Sequence, residues 1–568
     1  MQTNRFLHQI LPSVAFAMLG IPALAAPLVQ PHNGSVNPAQ AQAPSLVSPE
    51  QSVPLVFGLR LRNEDALQRL LTELSNPTSR LYHHWLTPAQ FATRFSPTQS
   101  DVDTVTAYLR DHGIRVLNIS PNRLLIQALA TATSVDNVFN VQLHKVSGGF
   151  TNSVEPKLPS DIAKVVQSVS GLNSLAMMKS QAMQHAAGAQ QPVAYSPSGI
   201  ATAYNFPNVN NRHNTGGAYS GAGTTIAIVT AFGYNPQDLV DFYTQFGIRH
   251  TGRITNIPIG GETSVKGVET TLDLEQATSQ APDADVLMYI AATPAFRNLD
   301  LAFNQVVCDN DANVVSFSWG IEEAKLGWSQ MFTLHEIFEQ AAAQGIVIFA
   351  ASGDDGAYGT GDDLEQPVLA TSYPSSDPLI TAVGGTTLQT NVDSTWKTES
   401  AWSGSGGGIS IFWDRSAWQT GTGVPAYGWY APANQKRTSC DVSFNADPST
   451  GYPVRFGGKW LLEGGTSCGT PNWAALWALA EQGIGSRIGG SNITIYAMAN
   501  SANYSSLFHD VTQGNNGGDN AGDPLSPGYN AGVGWDYPTG WGSPNGQHLV
   551  AWLLNHRPLP ETADDLNQ

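Results

Sequence analysis

Short apolar runs alternate with amphipathic stretches between residues 224 and 388. The runs are rich in Val, Ile and Ala, which is typical of strands buried on both faces of a sheet. Helical segments lie between them, for example at 329–343. This alternation predicts a parallel sheet covered by helices, with functional groups at the carboxyl ends of its strands. The predicted strands are 224–231, 284–292, 313–320, 346–353 and 379–388.

A smaller unit with a mixed pattern precedes this region, at 56–146. A helix is expected at 96–113, because Ser96 or Thr98 can cap its start, Gly113 can end it, and its apolar residues share one face. The unit is therefore predicted to be a small α+β domain. Its expected strands are 115–120, 123–130 and 138–146.

Three segments lack the regular spacing of apolar residues that marks strands and helices. Residues 1–25 combine Arg5, an apolar segment and a final Ala-Leu-Ala, which predicts a secretory signal peptide. Residues 26–50 are rich in Pro, Ala, Gln and Ser and are expected to be a linker. The stretch 179–199 is expected to be an exposed junction that a protease can cut. No later segment approaches about 20 continuous apolar residues, so we expect no membrane span.

Composition narrows the possible functions. The 568 residues carry a formal net charge of -18 and only 13% charged residues, against a typical value of about 25%. No basic patch is visible, so nucleic acid is not an expected partner. Few charges also limit self-repulsion when the carboxylates are neutralised, which favours an acidic workplace.

Cysteine is sparse, with Cys308, Cys440 and Cys468. Three cysteines allow at most one internal disulfide, and Cys440–Cys468 is the pair that we expect if one forms. The alternative is three buried thiols.

The stretch Leu461–Gln482 passes from a glycine-rich loop, "GGTSCGTP", into an apolar helical run. Ser467 lies at the point where the loop becomes the helix. Unpaired N–H groups at such a position suit a nucleophile whose reaction creates an oxyanion. An ordinary serine cap is the alternative.

A base for Ser467 is not obvious among the histidines, none of which lies in a catalytic sequence setting. We expect them to be surface or structural residues. Those of the α/β region are His213, His250, His335, His509, His548 and His556.

Carboxylates are better candidates. Glu269 and Asp273 are four residues apart, so a helix would place both on one face, where two close carboxylates can share a proton. Asp354 follows the buried strand 346–353 and is therefore expected at a carboxyl end.

Motifs in order along the chain resemble those of the sedolisins, the serine-carboxyl peptidases. They are "VETTLDLE", "SFSWG", "AASGDDG", "YPSSDPLITAVGGTTL", "SGSGGGIS", "DVSFNADP" and "GGTSCGTP", preceded by the pro-segment-like "NPTSRLYHHWLTPAQFATRFSPT". The resemblance covers nearly everything after the signal peptide, and secreted bacterial members are the nearest kind. It implies a subtilisin-like α/β catalytic domain with a mostly parallel sheet flanked by helices, preceded by a small α+β pro-domain.

The resemblance also implies boundaries for these parts. They are a signal peptide at 1–25, a pro-segment at 26–190, a catalytic domain at 191–556 with a calcium loop near its end, and a tail at 557–568.

Carried over by motif, Ser467 is the nucleophile, Glu269 the general base, Asp273 its orienting partner and Asp354 the oxyanion-hole donor. Subtilisin-like proteases have asparagine where this chain has Asp354, and an acid can donate a hydrogen bond only when it is protonated. A histidine base would already be protonated in acid, whereas a glutamate can still accept a proton.

Some sedolisins extend the triad through another glutamate and a tryptophan. Trp319 matches the tryptophan, but the glutamate position falls near Thr230, so we expect the extension to be absent.

A second constellation, at 508–546, is crowded with Asp, Asn and Gly, whose oxygens suit Ca²⁺. The resemblance implies one structural calcium ion. Its ligands would be the side chains of Asp510 and Asp536 and the backbone oxygens of Val511, Gly532 and Gly534. A solvated, turn-rich loop is the alternative.

The sequence therefore predicts a secreted, extracellular or periplasmic acid endopeptidase that acts on proteins and peptides. We expect a monomer whose pro-segment serves as intramolecular inhibitor and chaperone and is removed by Ser467 near residues 185–195. Membranes and nucleic acid are not expected partners. The alternatives are a tripeptidyl-peptidase and an inactive, calcium-stabilised binding protein on the same fold.

Overall fold

A computed structural model describes residues 45–185, 193–207, 219–358, 369–426, 435–518 and 528–556. The predicted signal peptide, most of the linker at 26–50 and the predicted tail lie outside the described residues. No helix in the described ranges is long and apolar enough to cross a membrane.

The first unit is a four-stranded antiparallel sheet with helices, as expected for a small α+β domain, and its strand order is β2-β3-β1-β6. Its elements are β1 Ser52–Leu59, α1 Glu64–Leu74, α2 Pro88–Arg94, α3 Gln99–Asp111, β2 Arg115–Ile119, β3 Leu125–Thr131, α4 Ala132–Phe139, β4 Leu143–Val146, β5 Gly149–Asn152, α5 Ser160–Ala163 and β6 Val166–Ser170.

The predicted helix of this unit is confirmed as α3. Thr98 caps it, because its side chain accepts the Asp101 N–H while the Asp101 side chain accepts the Thr98 N–H. Val102, Val105 and Leu109 are buried on one face.

The expected strand at 138–146 is wrong in its first half. Val138 and Phe139 end α4, which Thr131 caps through the Ser134 N–H, and Asn140 follows in the left-handed region. Only Leu143–Val146 is a strand. The apolar residues of α4 recur at helical spacing and are buried, so packing selects the helix.

The larger unit is an eight-stranded sheet with the order β10-β11-β9-β12-β14-β16-β17, to which β20 adds beside β16. A linking segment with β7 Lys179–Ser180 and β8 Met183–Gln184 precedes it. Its elements are α6 Pro197–Ala203, β9 Thr225–Ala231, α7 Pro236–Phe246, β10 Ile254–Ile259, α8 Val268–Gln280, β11 Asp285–Ala291, α9 Phe296–Asp309, β12 Val314–Phe317, β13 Trp319–Glu322, α10 Trp328–Ala343, β14 Val347–Ala351, β15 Ser372–Tyr373, β16 Thr381–Thr390, β17 Trp396–Ala401, β18 Gly408–Asp414, β19 Lys436–Ser439, β20 Val442–Asn445, β21 Tyr452–Phe456, β22 Lys459–Gly464, α11 Gly469–Ile484, α12 Ser491–Ala499, α13 Tyr504–Leu507, β23 Phe508–His509, β24 Ser543–Pro544 and α14 Gly546–Asn555.

The main sheet is parallel except for its edge strand β17, which confirms the predicted fold class. Helix α11 is mostly apolar and is buried over most of its length, with Trp473 and Trp477 in the core on one face of the sheet. Helices α9 and α10 cover the other face.

The small domain docks on this second face. Leu67 and Leu70 of α1 belong to the same apolar cluster as α9 and α10. Its sheet also rests on α10: the Ser168 and Thr333 hydroxyls are 2.8 Å apart, and a Cβ on Gly58 would lie 2.3 Å from Thr333 Oγ1. The close approach therefore requires glycine at position 58.

The expected Cys440–Cys468 disulfide is wrong, because all three cysteines are free thiols. Cys440 and Cys468 are fully buried at separate places: the Cys440 thiol donates to the Gly406 carbonyl, while Cys468 lies in the core beside α11.

Several buried carboxyl groups have raised pKa values. Burial raises the pKa of Glu481 from its ordinary value of 4.5 to about 8 and that of Glu336 to about 8. Burial also raises the pKa of Asp300 well above its ordinary range. A carboxyl whose pKa is higher in the folded state stabilises the fold fully below its unfolded pKa and loses that contribution as pH rises through the folded value.

We therefore expect the free energy of unfolding of the Ser467→Ala chain to fall between pH 4.5 and 8. Each such group steepens the fall by at most about 1.4 kcal/mol per pH unit. Glu481→Gln should flatten it, since the amide stays neutral and keeps an oxygen for the Ile488 N–H. Denaturant unfolding at a series of pH values measures both slopes, and identical slopes would contradict the assignment.

Candidate active site

Ser467 lies in a single turn, Thr466–Cys468, that leads directly into α11. Its side chain is fully buried, and its Oγ donates to Glu269 Oε2 at 2.9 Å. The hydrogen-bond partner of Ser467 is thus Glu269, the carboxylate that the sequence analysis predicted as its base.

Glu269 and Asp273 lie one turn apart near the start of α8, both buried. The Ser318 hydroxyl donates to Asp273 Oδ1 at 2.6 Å. Glu269 Oε1 and Asp273 Oδ2 are buried without a hydrogen-bond partner among the described residues. A proton on either carboxyl lowers the cost of burying both.

Burial is the main cause that raises the pKa of both carboxyls. The neighbouring Asp273 charge raises the pKa of Glu269 further, whereas the hydroxyls of Ser180 and Ser467 oppose the rise. The pair therefore holds protons more tightly than exposed carboxyls do.

Asp354 follows β14, so it lies at a carboxyl end of the sheet as predicted. Its Oδ1 accepts the Thr466 N–H at 2.7 Å and the Thr466 hydroxyl at 2.8 Å, while its Oδ2 is buried without a described partner. Burial raises its pKa well above the ordinary value, and the Thr466 hydrogen bonds counteract part of that rise. The protonated form can therefore donate from the second oxygen.

The linking segment passes through this site. Gln181 donates its N–H to the Ser318 carbonyl at 3.0 Å, and its own carbonyl accepts the Ser467 N–H at 3.1 Å. A Cβ on Gly465 would lie 2.2 Å from that Gln181 oxygen and 2.4 Å from Asp354 Oδ2, so both oxygens lie on the same side of Gly465. The Gln181 carbonyl therefore faces the Ser467 N–H and the Asp354 carboxyl together.

The exposed junction expected at 179–199 is confirmed for Lys179, Met183 and Gln184, which are exposed. It is wrong for Gln181, which is only 6% exposed, and the segment is held by pairing of β7 with β13 and of β8 with β22. Residues 186–192 lie outside the described residues.

Trp319 has a neutral partner. Its indole N–H donates to Thr230 Oγ1 at 3.1 Å, and the Thr230 and Thr270 hydroxyls are 2.8 Å apart. Thr230 thus occupies the place where an extended triad would need a carboxylate.

No histidine in the described ranges hydrogen-bonds to Ser467. His335, for example, pairs with Asp377 at 2.9 Å and lies 3.8 Å from Glu339. His213 lies outside the described residues.

The predicted calcium ligands lie close together. The Gly534 N–H donates to both Asp510 oxygens at 3.1 and 3.2 Å, and the Gly532 N–H donates to Asp536 Oδ2 at 2.9 Å. Burial, with a contribution from the Asp510 charge, raises the pKa of Asp536 to about 7. Val511 is buried directly beside Asp510.

Two carboxylates that repel each other suit a hard cation, so this set fits calcium. Backbone oxygens would have to supply the other ligands, because the described part of the chain holds no metal-binding group of three or more His, Cys, Asp and Glu side chains.

Sequence reasoning missed the partners of the candidate residues. Thr466 holds Asp354, Ser318 holds Asp273, and Ser180 donates to Glu269 Oε2 at 2.5 Å. Thr466 lies inside the motif "GGTSCGTP" and Ser318 inside "SFSWG". Their hydroxyl groups are the sequence feature from which these hydrogen bonds could have been predicted.

Comparisons with known proteins agree with this architecture. Residues 39–175 match the activation domain of pro-kumamolisin, and residues 207–542 match the subtilase family. These matches define the class of the protein: a subtilase-fold serine peptidase with an attached activation domain.

Individual relatives give a narrower family. Sedolisin of Pseudomonas sp. (strain 101) is 31% identical over 556 residues, covering 92% of this chain and 91% of its own length. The structure titled as Pseudomonas sedolisin complexed with two molecules of pseudo-iodotyrostatin has a TM-score of 0.55 and 29% identity, covering 65% of this chain and 100% of its own. Tripeptidyl-peptidase 1 of Rattus norvegicus is 25% identical, covering 90% of this chain and 93% of its own length. The chain belongs to the sedolisin family of serine-carboxyl peptidases.

The environment of Asp354 generates a prediction for the activated enzyme. Asp354→Asn should keep more activity than Asp354→Ala, because an amide also donates, and removing an oxyanion donor typically costs about 10²–10³ in rate. The alkaline limb of the Asp354→Asn pH–rate profile should move upward, since the amide cannot ionise, while the acid limb should stay. Activity on a peptide measured from pH 2 to 8 tests this, with folding checked at each pH.

Asp311→Asn is the matched control, because Asp311 is exposed near the amino end of β12. An active, folded Asp354→Asn enzyme with an unmoved alkaline limb would assign that limb to another group.

Proposed function

We propose that this chain is a secreted, acid-acting serine-carboxyl endopeptidase made as a self-processing zymogen. The hydrogen bond between the buried Ser467 hydroxyl and Glu269 is the observation that carries the proposal. Ser467 is the nucleophile, Glu269 the general base and then acid, Asp273 orients and polarises Glu269, and Asp354 is the oxyanion donor.

The geometry supports acyl transfer in two steps. Ser467 Oγ attacks the substrate carbonyl carbon as its proton passes to Glu269, and the oxyanion forms beside the Ser467 N–H and protonated Asp354. Glu269 then gives the proton to the leaving nitrogen. Water, activated by Glu269, releases the acyl group.

Acid favours this arrangement for a physical reason. Asp354 donates only while protonated, whereas Glu269 must be able to accept a proton. Burial raises the pKa of both carboxyls, so Asp354 stays protonated over a wide pH range, while Glu269 accepts the Ser467 proton in the molecules in which it is ionised.

Endopeptidase activity is consistent with the path of the linking segment, because the cleft of the precursor holds chain upstream of the third residue. Lys179 is the third residue before the peptide bond that follows Gln181, and the chain continues upstream of Lys179. The Met178 N–H, for example, donates to the Pro294 carbonyl at 2.9 Å. Product analysis on a peptide with a blocked N-terminus separates the two activities.

The remaining proposals concern the cellular location, the oligomeric state and the role of the pro-segment. The N-terminal signal features support export to the extracellular space or periplasm, and we propose a monomer. The docked domain and the occupied cleft support an inhibitory pro-segment that also assists folding. An inactive binding protein is the rival from another class, and self-cleavage on acidification would exclude it.

We also propose one structural calcium ion, held by the side chains of Asp510 and Asp536 and by backbone oxygens of Val511, Gly532 and Gly534. The bound ion would neutralise the two carboxylates and connect the loop 532–536 to the strand end at Asp510.

Maturation supplies the first test of this function. Ser467→Ala should leave a full-length precursor after acidification, because the nucleophile is absent, and gel electrophoresis with intact mass follows the product. Ser449→Ala is the control, since Ser449 is exposed and should not affect processing. Processing of purified Ser467→Ala at the wild-type rate would show that another protease does the cutting.

Calcium supplies the second test. A bound ion stabilises the folded state by mass action, about 2.7 kcal/mol at a hundredfold excess over its dissociation constant. Chelator should therefore lower the melting temperature of the wild type and leave that of Asp536→Ala, already lower, unchanged. A wild-type melting temperature indifferent to chelator, with no metal in elemental analysis, would refute the site.

A further inference from the structure

The segment from Lys179 to Gln184 is held like an extended substrate. Ser180 lies opposite Trp319 in an antiparallel pair, and Gln184 lies opposite Glu463 on the other wall of the cleft. Main-chain hydrogen bonds from both walls are how an extended peptide is fixed by strand addition. The register of this segment therefore decides which peptide bond meets Ser467.

That bond is the one after Gln181. The Gln181 carbonyl is the group that accepts the Ser467 N–H and lies beside the free oxygen of Asp354. The Ser467 hydroxyl is meanwhile hydrogen-bonded to Glu269. The Ser467 N–H thus contacts the Gln181–Ala182 peptide directly, the base is hydrogen-bonded to the hydroxyl of the same serine, and Asp354 Oδ2 lies nearby.

The Gln181 side chain occupies a pocket of its own. It is almost fully buried, and its amide donates to the Lys179 carbonyl at 3.1 Å. A Cβ on Gly320 would lie 3.3 Å from Gln181 Nε2 and 2.3 Å from Ser372 Oγ, and one on Gly353 would lie 3.9 Å from Gln181 Oε1. These contacts are with neutral groups, and a side chain at position 320 would press on the Gln181 amide, whereas one at position 353 would make only ordinary contact with it.

We propose that Gln181–Ala182 is the bond that this chain cuts first in itself, and that the pocket formed by Gly320, Gly353 and Ser372 selects an uncharged, unbranched side chain of glutamine's length before the scissile bond. The inference rests on the proposed peptidase function and assigns it a first substrate and a specificity pocket. It places the first cut upstream of the interval 185–195 expected from the sequence.

The step balances without a co-reactant other than water. Ser467 Oγ bonds to the Gln181 carbonyl carbon and its proton moves to Glu269. The C–N bond to Ala182 breaks as Glu269 returns that proton to the Ala182 nitrogen. Water then hydrolyses the ester and leaves a carboxyl group on Gln181 and a free Ser467.

Size and charge both contribute to the selectivity. A charged side chain would lose water in a pocket whose observed contacts are neutral, and desolvation of an unpaired charge is costly. A side chain much shorter than glutamine would leave the space between the two glycines unfilled, at a cost typical of hydrophobic pockets, about 10-fold or more in rate.

The first experiment acidifies the purified full-length chain and identifies the earliest new N-terminus by mass spectrometry. We expect a product that begins at Ala182. Gln181→Lys should slow this cut about 10-fold or more, whereas Gln181→Met should stay within about 3-fold. Gln142→Lys is the matched control, because Gln142 is exposed on the small domain and should process normally.

The second experiment keeps the test valid if a precursor variant misfolds. The enzyme obtained by acidifying the full chain is given a peptide, blocked at both ends, with the sequence Lys-Ser-Gln-Ala-Met-Gln. We expect cleavage between Gln and Ala, with Lys in place of Gln cut about 10-fold more slowly or worse. Gly320→Ala enzyme, matured by a trace of wild type if necessary, should lose its preference for Gln over Ala at that position.

The outcomes distinguish a failure of the proposed cleavage site from a failure of the proposed peptidase function. An earliest N-terminus elsewhere with Gln181–Ala182 intact, or equal rates for the Gln and Lys peptides, would overturn this inference and leave the peptidase function standing. A preference unchanged in Gly320→Ala would overturn the pocket. Failure of the wild type to cut itself or any peptide at any pH would instead defeat the proposed function.

Discussion

The desolvation of three carboxyl groups around one serine is the constraint on which the rest of the structure depends. Glu269, Asp273 and Asp354 are buried together with Ser467, and an ionised carboxyl out of water is costly unless it is paired or hydrogen-bonded. Hydroxyl and backbone donors supply part of the compensation. Protons supply the remainder, because burial raises the pKa of all three carboxyls.

The fold brings these groups together from separate elements. Glu269 and Asp273 come from the first turns of α8, Asp354 follows β14, and Ser467 lies in the turn directly before α11. The two strands β9 and β14 flank β12 in the parallel sheet, so their carboxyl ends meet at one edge. The buried helix α11 then fixes the turn that carries Ser467 against that edge.

Local pattern was enough to predict α3, the strands β9, β11, β12, β14 and β16 of the main sheet and the candidate residues, but not the partners of those residues. The spacing of Glu269 and Asp273 specified one helical face, and the strand before Asp354 specified its edge. Thr466 and Asp354, by contrast, are 112 residues apart in sequence, and Ser318 and Asp273 are 45 apart. Such pairs depend on strand order and helix packing, which a local period does not encode.

The same dependence on tertiary packing explains the errors in the secondary structure predicted from the sequence. A run of apolar residues at 138–146 fits a strand or a buried helix equally well, and the packing of α4, which Thr131 caps, selects the helix. The sequence did not indicate, for a different reason, that Gln181 lies in the cleft. Its segment has little periodicity because its strands are two residues long and pair with distant walls of the cleft.

Proton binding extends beyond the catalytic groups. Glu481 lies within α11 and Asp300 within α9, and burial raises the pKa of both. Each such carboxyl makes the folded chain bind protons more tightly than the unfolded chain, so folding and low pH favour each other. The low charge density of the chain limits the repulsion that usually opposes folding in acid. Fold stability and the protonation of Asp354 thus respond to pH in the same direction, since acid favours both the protonated Asp354 and the scaffold that holds it.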